Sequence, residues 1–159
     1  MAQQAQQQPF RIFDLPLELR QNIYVKLFED TTTEITEGVY TQRAYDAPLI
    51  LLTCKQIHNE AISIFYQTTS FYFEVHGRGL RWYSQLPHKH RKRVSRMRYG
   101  IHVTIGQRPQ RGDFRRTLME KYGIELKDGV LEYRERLEGE KLVWTSEESV
   151  RQRGLFLAC

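Results

Sequence analysis

The sequence predicts an α+β domain. Two amphipathic helical stretches near the N-terminus, each opened by a proline, supply the helical part. Two later runs alternate apolar with polar residues and supply strands, in an order of elements that contains no internal repeat.

The first helix is expected to start at Pro16, where the missing N–H of proline would have no intrahelical partner, and to end near Glu29. Glu18 then falls in the first turn, where its charge suits the positive end of the helix. Leu19, Ile23 and Leu27 recur every four residues, and Tyr24 and Phe28 widen that stripe into an expected core-facing surface. Residues 30–47 read as a connector with an extended piece around Glu34–Tyr40. Pro48 opens the second helix, whose buried stripe is expected to be Ile50, Cys54, Ile57, Ala61 and Ile64/Phe65.

Phe71, Phe73 and Val75 alternate with Tyr72 and Glu74, the pattern of a strand. A short helix follows over Leu80–Leu86, stopped by Pro87, and a second strand is expected over Tyr99–Ile105. After a loop at Gln107–Gly112, Asp113 starts a helix reaching about Tyr122, with Gly123 at its end. Val130–Leu137 and Leu142–Thr145 flank Glu138-Gly139-Glu140 as a predicted hairpin. A last helix is expected from about Ser146 to Phe156.

Size and composition narrow the classes of function. At 159 residues the chain has the length of one domain with one modest core. The glutamine-rich residues 1–9 read as a disordered tail, leaving 10–159 as the single folded unit. No apolar run reaches the length of a membrane span and no basic-then-apolar leader opens the chain, so the expected compartment is the cytoplasm or nucleus. Two cysteines cannot make a structural zinc site, and Cys54 reads as a small buried hydrophobe.

The net charge of +5 is unevenly spread. Residues 1–78 carry 6 Lys/Arg against 9 Asp/Glu, residues 79–112 carry 9 against 0, and residues 113–159 carry 9 against 10. A basic middle therefore sits between mildly acidic flanks, a distribution that attracts a polyanion or an acidic protein surface.

The most specific local pattern is Leu15-Pro16-Leu17-Glu18-Leu19-Arg20-Gln21-Asn22-Ile23-Tyr24, answered by Leu51-Leu52-Thr53-Cys54-Lys55-Gln56-Ile57-His58-Asn59-Glu60-Ala61. Phe65-Tyr66 and Phe71-Tyr72-Phe73 follow, then Leu80-Arg81-Trp82-Tyr83. In this combination residues 10–105 resemble the fungal F-box-like proteins. That resemblance implies a non-catalytic interaction module, with no cofactor, that docks on the small adaptor subunit of a cullin–RING ubiquitin ligase. The implied docking residues are Leu15, Pro16, Leu19 and Ile23 from the first motif, and Leu51, Leu52 and Cys54 from the second. Each is apolar at helical spacing, so core packing is the competing reading. Residues 99–159 would then form the surface that recognises a substrate.

The sharpest charge feature is His88-Lys89-His90-Arg91-Lys92-Arg93-Val94-Ser95-Arg96-Met97-Arg98. As one helix it would align Lys89, Lys92/Arg93 and Arg96 in a cationic stripe, with Arg91 and Arg98 alongside and Val94 and Met97 as apolar anchors. Such a stripe could neutralise phosphates, with Trp82, Tyr83 and Tyr99 offering stacking surface for single-stranded nucleic acid. This is the alternative function, and a solvated face before a core strand is the plain structural one. No helix-turn-helix, RNP or zinc-finger pattern supports sequence-specific reading.

No catalytic constellation stands out. His58-Asn59-Glu60 lacks the Pro-Cys-x-x-Cys partner of a zinc deaminase, and neither a Gly-x-Ser-x-Gly elbow nor a phosphate-binding loop occurs. Arg111-Gly112-Asp113 reads as a loop glycine before a helix start.

Overall fold

A computed structural model describes residues 11–35, 48–74, 76–100, 113–136 and 142–146. A short 3-10 turn (Ile12–Asp14) precedes α1 (Leu17–Phe28), which is followed by strand β1 (Thr32–Glu34). A second 3-10 turn (Leu49–Leu52) leads into α2 (Lys55–Thr68) and β2 (Ser70–Phe73). Then come α3 (His76–Gln85), the single-turn α4 (His88–Arg91), β3 (Arg96–Tyr99), α5 (Asp113–Tyr122), β4 (Leu131–Arg136) and β5 (Leu142–Ser146). The expected α+β class is the one observed.

The five strands form one sheet in chain order. The first three pairings are parallel, and β4 pairs with β5 antiparallel. Parallel neighbours need crossovers, and α2, α3 with α4, and α5 supply them in turn. The turn expected at Glu138–Glu140, the strand residues 101–105 and the last helix all lie outside the described residues.

Strand alternation sorts the sheet into two faces. Phe71, Phe73, Met97, Leu131 and Tyr133 are buried on one. Tyr72, Arg96, Arg98, Glu132 and Arg134 occupy the other, half-buried or exposed. The helices cover the apolar face through an aromatic chain. Phe65 of α2 meets Phe28 of α1 and Phe71 of β2 edge-on, both at 5.4 Å. Phe71 packs on Trp82 of α3 at 4.7 Å, and Phe73 stacks on Phe114 of α5 at 5.3 Å. The close approach of α3 needs Gly79, where an added Cβ would lie 2.6 Å from the Phe73 ring.

Several expectations need correction. Only Tyr24 and Phe28 of α1 are fully buried, whereas Leu19, Ile23 and Leu27 are exposed. The second helix does not run from Pro48: a 3-10 turn ends at Leu52, and Thr53 and Cys54 separate it from α2. Cys54 is therefore not on a buried helical face but is the exposed N-cap of α2, its Sγ accepting from the Ile57 N–H at 3.5 Å. The second strand starts at Arg96, ahead of the expected Tyr99, so the basic run is not one helix.

Candidate functional site

Two helices set up the candidate docking surface. The extended Leu15–Pro16 segment feeds α1, and the Leu49–Leu52 turn feeds α2. Arg20 of α1 reaches Glu60 of α2, and Phe28, two turns later, reaches Phe65. The helices thus run side by side in the same direction, with both N-termini at one end.

A polar latch fixes this pairing. Arg20 donates from Nε to Glu60 Oε2 at 2.9 Å and from Nη2 to Oε1 at 2.8 Å, a two-pronged bond. Tyr24 donates its hydroxyl to Oε2 at 3.2 Å, and Gln56 donates to Oε1 at 3.0 Å. The remaining Arg20 amino group donates to the Leu15 carbonyl at 2.5 Å, tying down the segment before the helix. These donors, Arg20 first and Gln56 next, pull the Glu60 carboxyl down to about 2. Burial and the bond to Glu60 push the Tyr24 phenol up.

The sequence reading missed this latch because its partners lie 40 residues apart. A signal was nevertheless present. Arg20 stands one turn before Tyr24, and Glu60 directly before Ala61, so each polar residue borders the buried stripe of its helix.

With the latch closed, α1 turns Tyr24 and Phe28 inward and leaves an apolar flank in water. Leu17 is 42% exposed, Leu19 48%, Ile23 40% and Leu27 45%. Leu52 is 49% exposed and Leu49 81%. Of the seven expected docking residues, Pro16, Leu19, Ile23, Leu52 and Cys54 are exposed and Leu15 is half-buried. Leu51 is a core residue instead. It holds the turn in place, its carbonyl 3.0 Å from His58 Nδ1. Leu51, Leu52 and Cys54 line one shallow groove with Lys55, His58 and Asn59.

The basic segment is broken up by the fold. Val94 and Met97 are buried anchors as expected. Lys89, Lys92 and Arg93 are exposed, while His90 stacks on Tyr66 at 4.8 Å and Arg91 is half-buried. Arg96 and Arg98 belong to β3 and converge on Glu132 of β4, at 3.5 and 2.9 Å. Arg98 also lies 5.2 Å from the ring of Trp144, which meets Tyr72 edge-on at 6.0 Å. No single cationic stripe results. Trp82 and Tyr83 are buried and Tyr99 is half-buried, so the expected stacking surface is not presented.

Among the described residues, no cluster of three or more His, Cys, Asp or Glu could hold a metal ion. None of their helices is long and apolar enough to cross a membrane. No family model matches the chain, and neither a curated protein nor a solved structure matches it.

Proposed function

We propose that this chain is a non-catalytic intracellular protein-interaction module of the F-box-like kind, an adaptor that docks on a cullin–RING ubiquitin ligase. The observation that carries the reading is the apolar flank of α1, where Leu19, Ile23 and Leu27 repeat at four-residue spacing yet stay exposed. An apolar stripe that the described residues leave in water fits a surface buried by a partner. The latch adds support, because it joins the two motifs on which the F-box-like resemblance rests and sets their exposed side chains in one arrangement. The half-buried sheet face that carries Tyr72, Arg98 and Trp144 is a second surface on which such an adaptor could hold its substrate.

The test is binding of the purified chain to the ligase adaptor subunit, with a Leu19→Asp/Ile23→Asp variant beside it. Both substitutions lie on an exposed flank, so circular dichroism should show the same fold in both proteins. Loss of binding in the folded variant supports the reading, and absence of binding by the wild type removes the ligase link. The nucleic-acid alternative has weaker support, since Arg96 and Arg98 are already engaged by Glu132. Affinity that falls steeply with salt and vanishes on neutralising Lys89, Lys92 and Arg93 would revive it.

A further inference from the structure

We propose that the groove at the start of α2 receives an acidic, amphipathic segment of the protein partner. The inference rests on the docking reading above and narrows the chemistry of what docks.

The groove encloses about 420 Å3 and is lined by Leu51, Leu52, Cys54, Lys55, His58 and Asn59. Its apolar part is real but small: Leu51 is buried in the core beneath the turn, and Leu52 beside it is half in water. The charged side chain in the lining is a cation, Lys55, and no carboxylate is among them. The one acid of α2, Glu60, faces α1 and is taken up by Arg20, Gln56 and Tyr24.

More positive charge stands close by. His90 stacks on Tyr66, about two turns along α2 from His58. That contact carries the exposed Lys89 and Arg93 of the neighbouring segment towards the α2 surface. Burial first, and then the charges of Lys89, Arg93 and His58, hold the imidazole of His90 below its ordinary value.

A wholly apolar partner would leave these cations unused, and a basic one would be repelled. A segment with an apolar face for Leu52 and acidic side chains for Lys55, Lys89 and Arg93 satisfies both halves of the surface. Its rim charges, being exposed, would speed encounter and respond to salt, while the apolar contact would persist.

The experiment compares two fluorescein-labelled amphipathic helical peptides by fluorescence anisotropy against the full chain. They share one leucine face, and the polar face is glutamate in one and lysine in the other. The glutamate peptide should bind at least about tenfold more tightly. Lys55→Glu combined with Lys89→Glu should abolish or invert that preference, and Leu52→Ser should weaken the glutamate peptide by about tenfold. In a Cys159→Ser background the bound peptide should slow alkylation of Cys54. Leu52, Cys54, Lys55 and Lys89 are exposed, and near-ultraviolet circular dichroism confirms that each variant is folded.

Equal affinities for the two peptides would overturn the inference, as would a preference indifferent to charge reversal in a folded variant. Glutamate-peptide binding without adaptor binding leaves the inference standing and removes the ligase reading. Adaptor binding that depends on Leu19 and Ile23 with no peptide preference removes this inference alone.

Discussion

Helices α1 and α2 carry the same kind of apolar repeat and meet opposite fates. In α2, Ile57, Ala61, Phe65 and Tyr66 all go into the core. In α1, Leu19, Ile23 and Leu27 stay outside while Tyr24 and Phe28 go in. Arg20 lies on the same side of α1 as Tyr24 and Phe28, and its bond to Glu60 holds that side against α2 together with the Phe28–Phe65 contact. Periodicity therefore reports that a helix has an apolar face, and the partners it meets across the fold set how much of that face is buried.

The sharpest way to break this contrast is to truncate one residue from each helix. Phe65→Ala removes the ring shared by Phe28, Tyr66 and Phe71 and should cost about 3–5 kcal/mol, read as a loss of urea midpoint or outright unfolding. Ile23→Ala should stay within about 0.5 kcal/mol of wild type. Equal losses would mean that Ile23 is core after all. At Gly79, alanine would ordinarily strengthen a helix by about 1 kcal/mol. The buried Phe73 ring lies where its Cβ must go, so overpacking of about 1–3 kcal/mol should win and Gly79→Ala should be destabilising in the same assay.

The latch itself gives the next test. Arg20→Ala should lower the melting temperature by more than Lys26→Ala, because the Lys26–Glu29 pair is exposed and the Arg20–Glu60 pair is largely buried. Adding Glu60→Gln to Arg20→Ala should recover part of that loss, since the carboxylate left behind is no longer charged.

Smaller again is the acid dependence. Glu60 titrates at about 2 in the fold and at its ordinary 4.5 when the chain unfolds. Its contribution is complete above pH 4.5 and fades as the pH falls towards 2, as urea midpoints should show, and Glu60→Gln should flatten that decline. His90, held below its ordinary value, adds a decline that begins below pH 6.5, because the unfolded chain takes up the proton more readily.

Local patterns were legible in the sequence and long-range partnerships were not. The bounds of α1 and α5 and the inward pointing of Phe71 and Phe73 follow from spacing, proline and glycine alone, with Gly123 at φ +61 closing α5 as expected. The exposure of Leu19, Ile23 and Cys54 was not legible, because apolar spacing marks a helix face without saying what covers it, and Leu51, named beside them, is buried at its seat against α2. The basic run misled because charge density resembles a solvated helix. Arg96 and Arg98 sit in an interior strand, a place usually filled by apolar residues in a parallel sheet. They can stay there because their side chains lie on the sheet face away from the buried aromatic residues and Glu132 lies on the adjacent strand, 34 residues beyond Arg98. The parallel pairing was equally hidden, since it joins strands through whole crossovers rather than tight turns.

Strand order that follows chain order has a consequence for how the molecule is made. Each strand lies beside the one synthesised just before it, so every new segment leaving the ribosome finds its template already laid down. Glu60 can close on Arg20, and Ser70–Phe73 can pair with Thr32–Glu34, before any residue of the basic run has emerged. Helices α1 and α2 are thus the first part of this chain able to assemble, and the arginine-bearing strand is added to an existing edge.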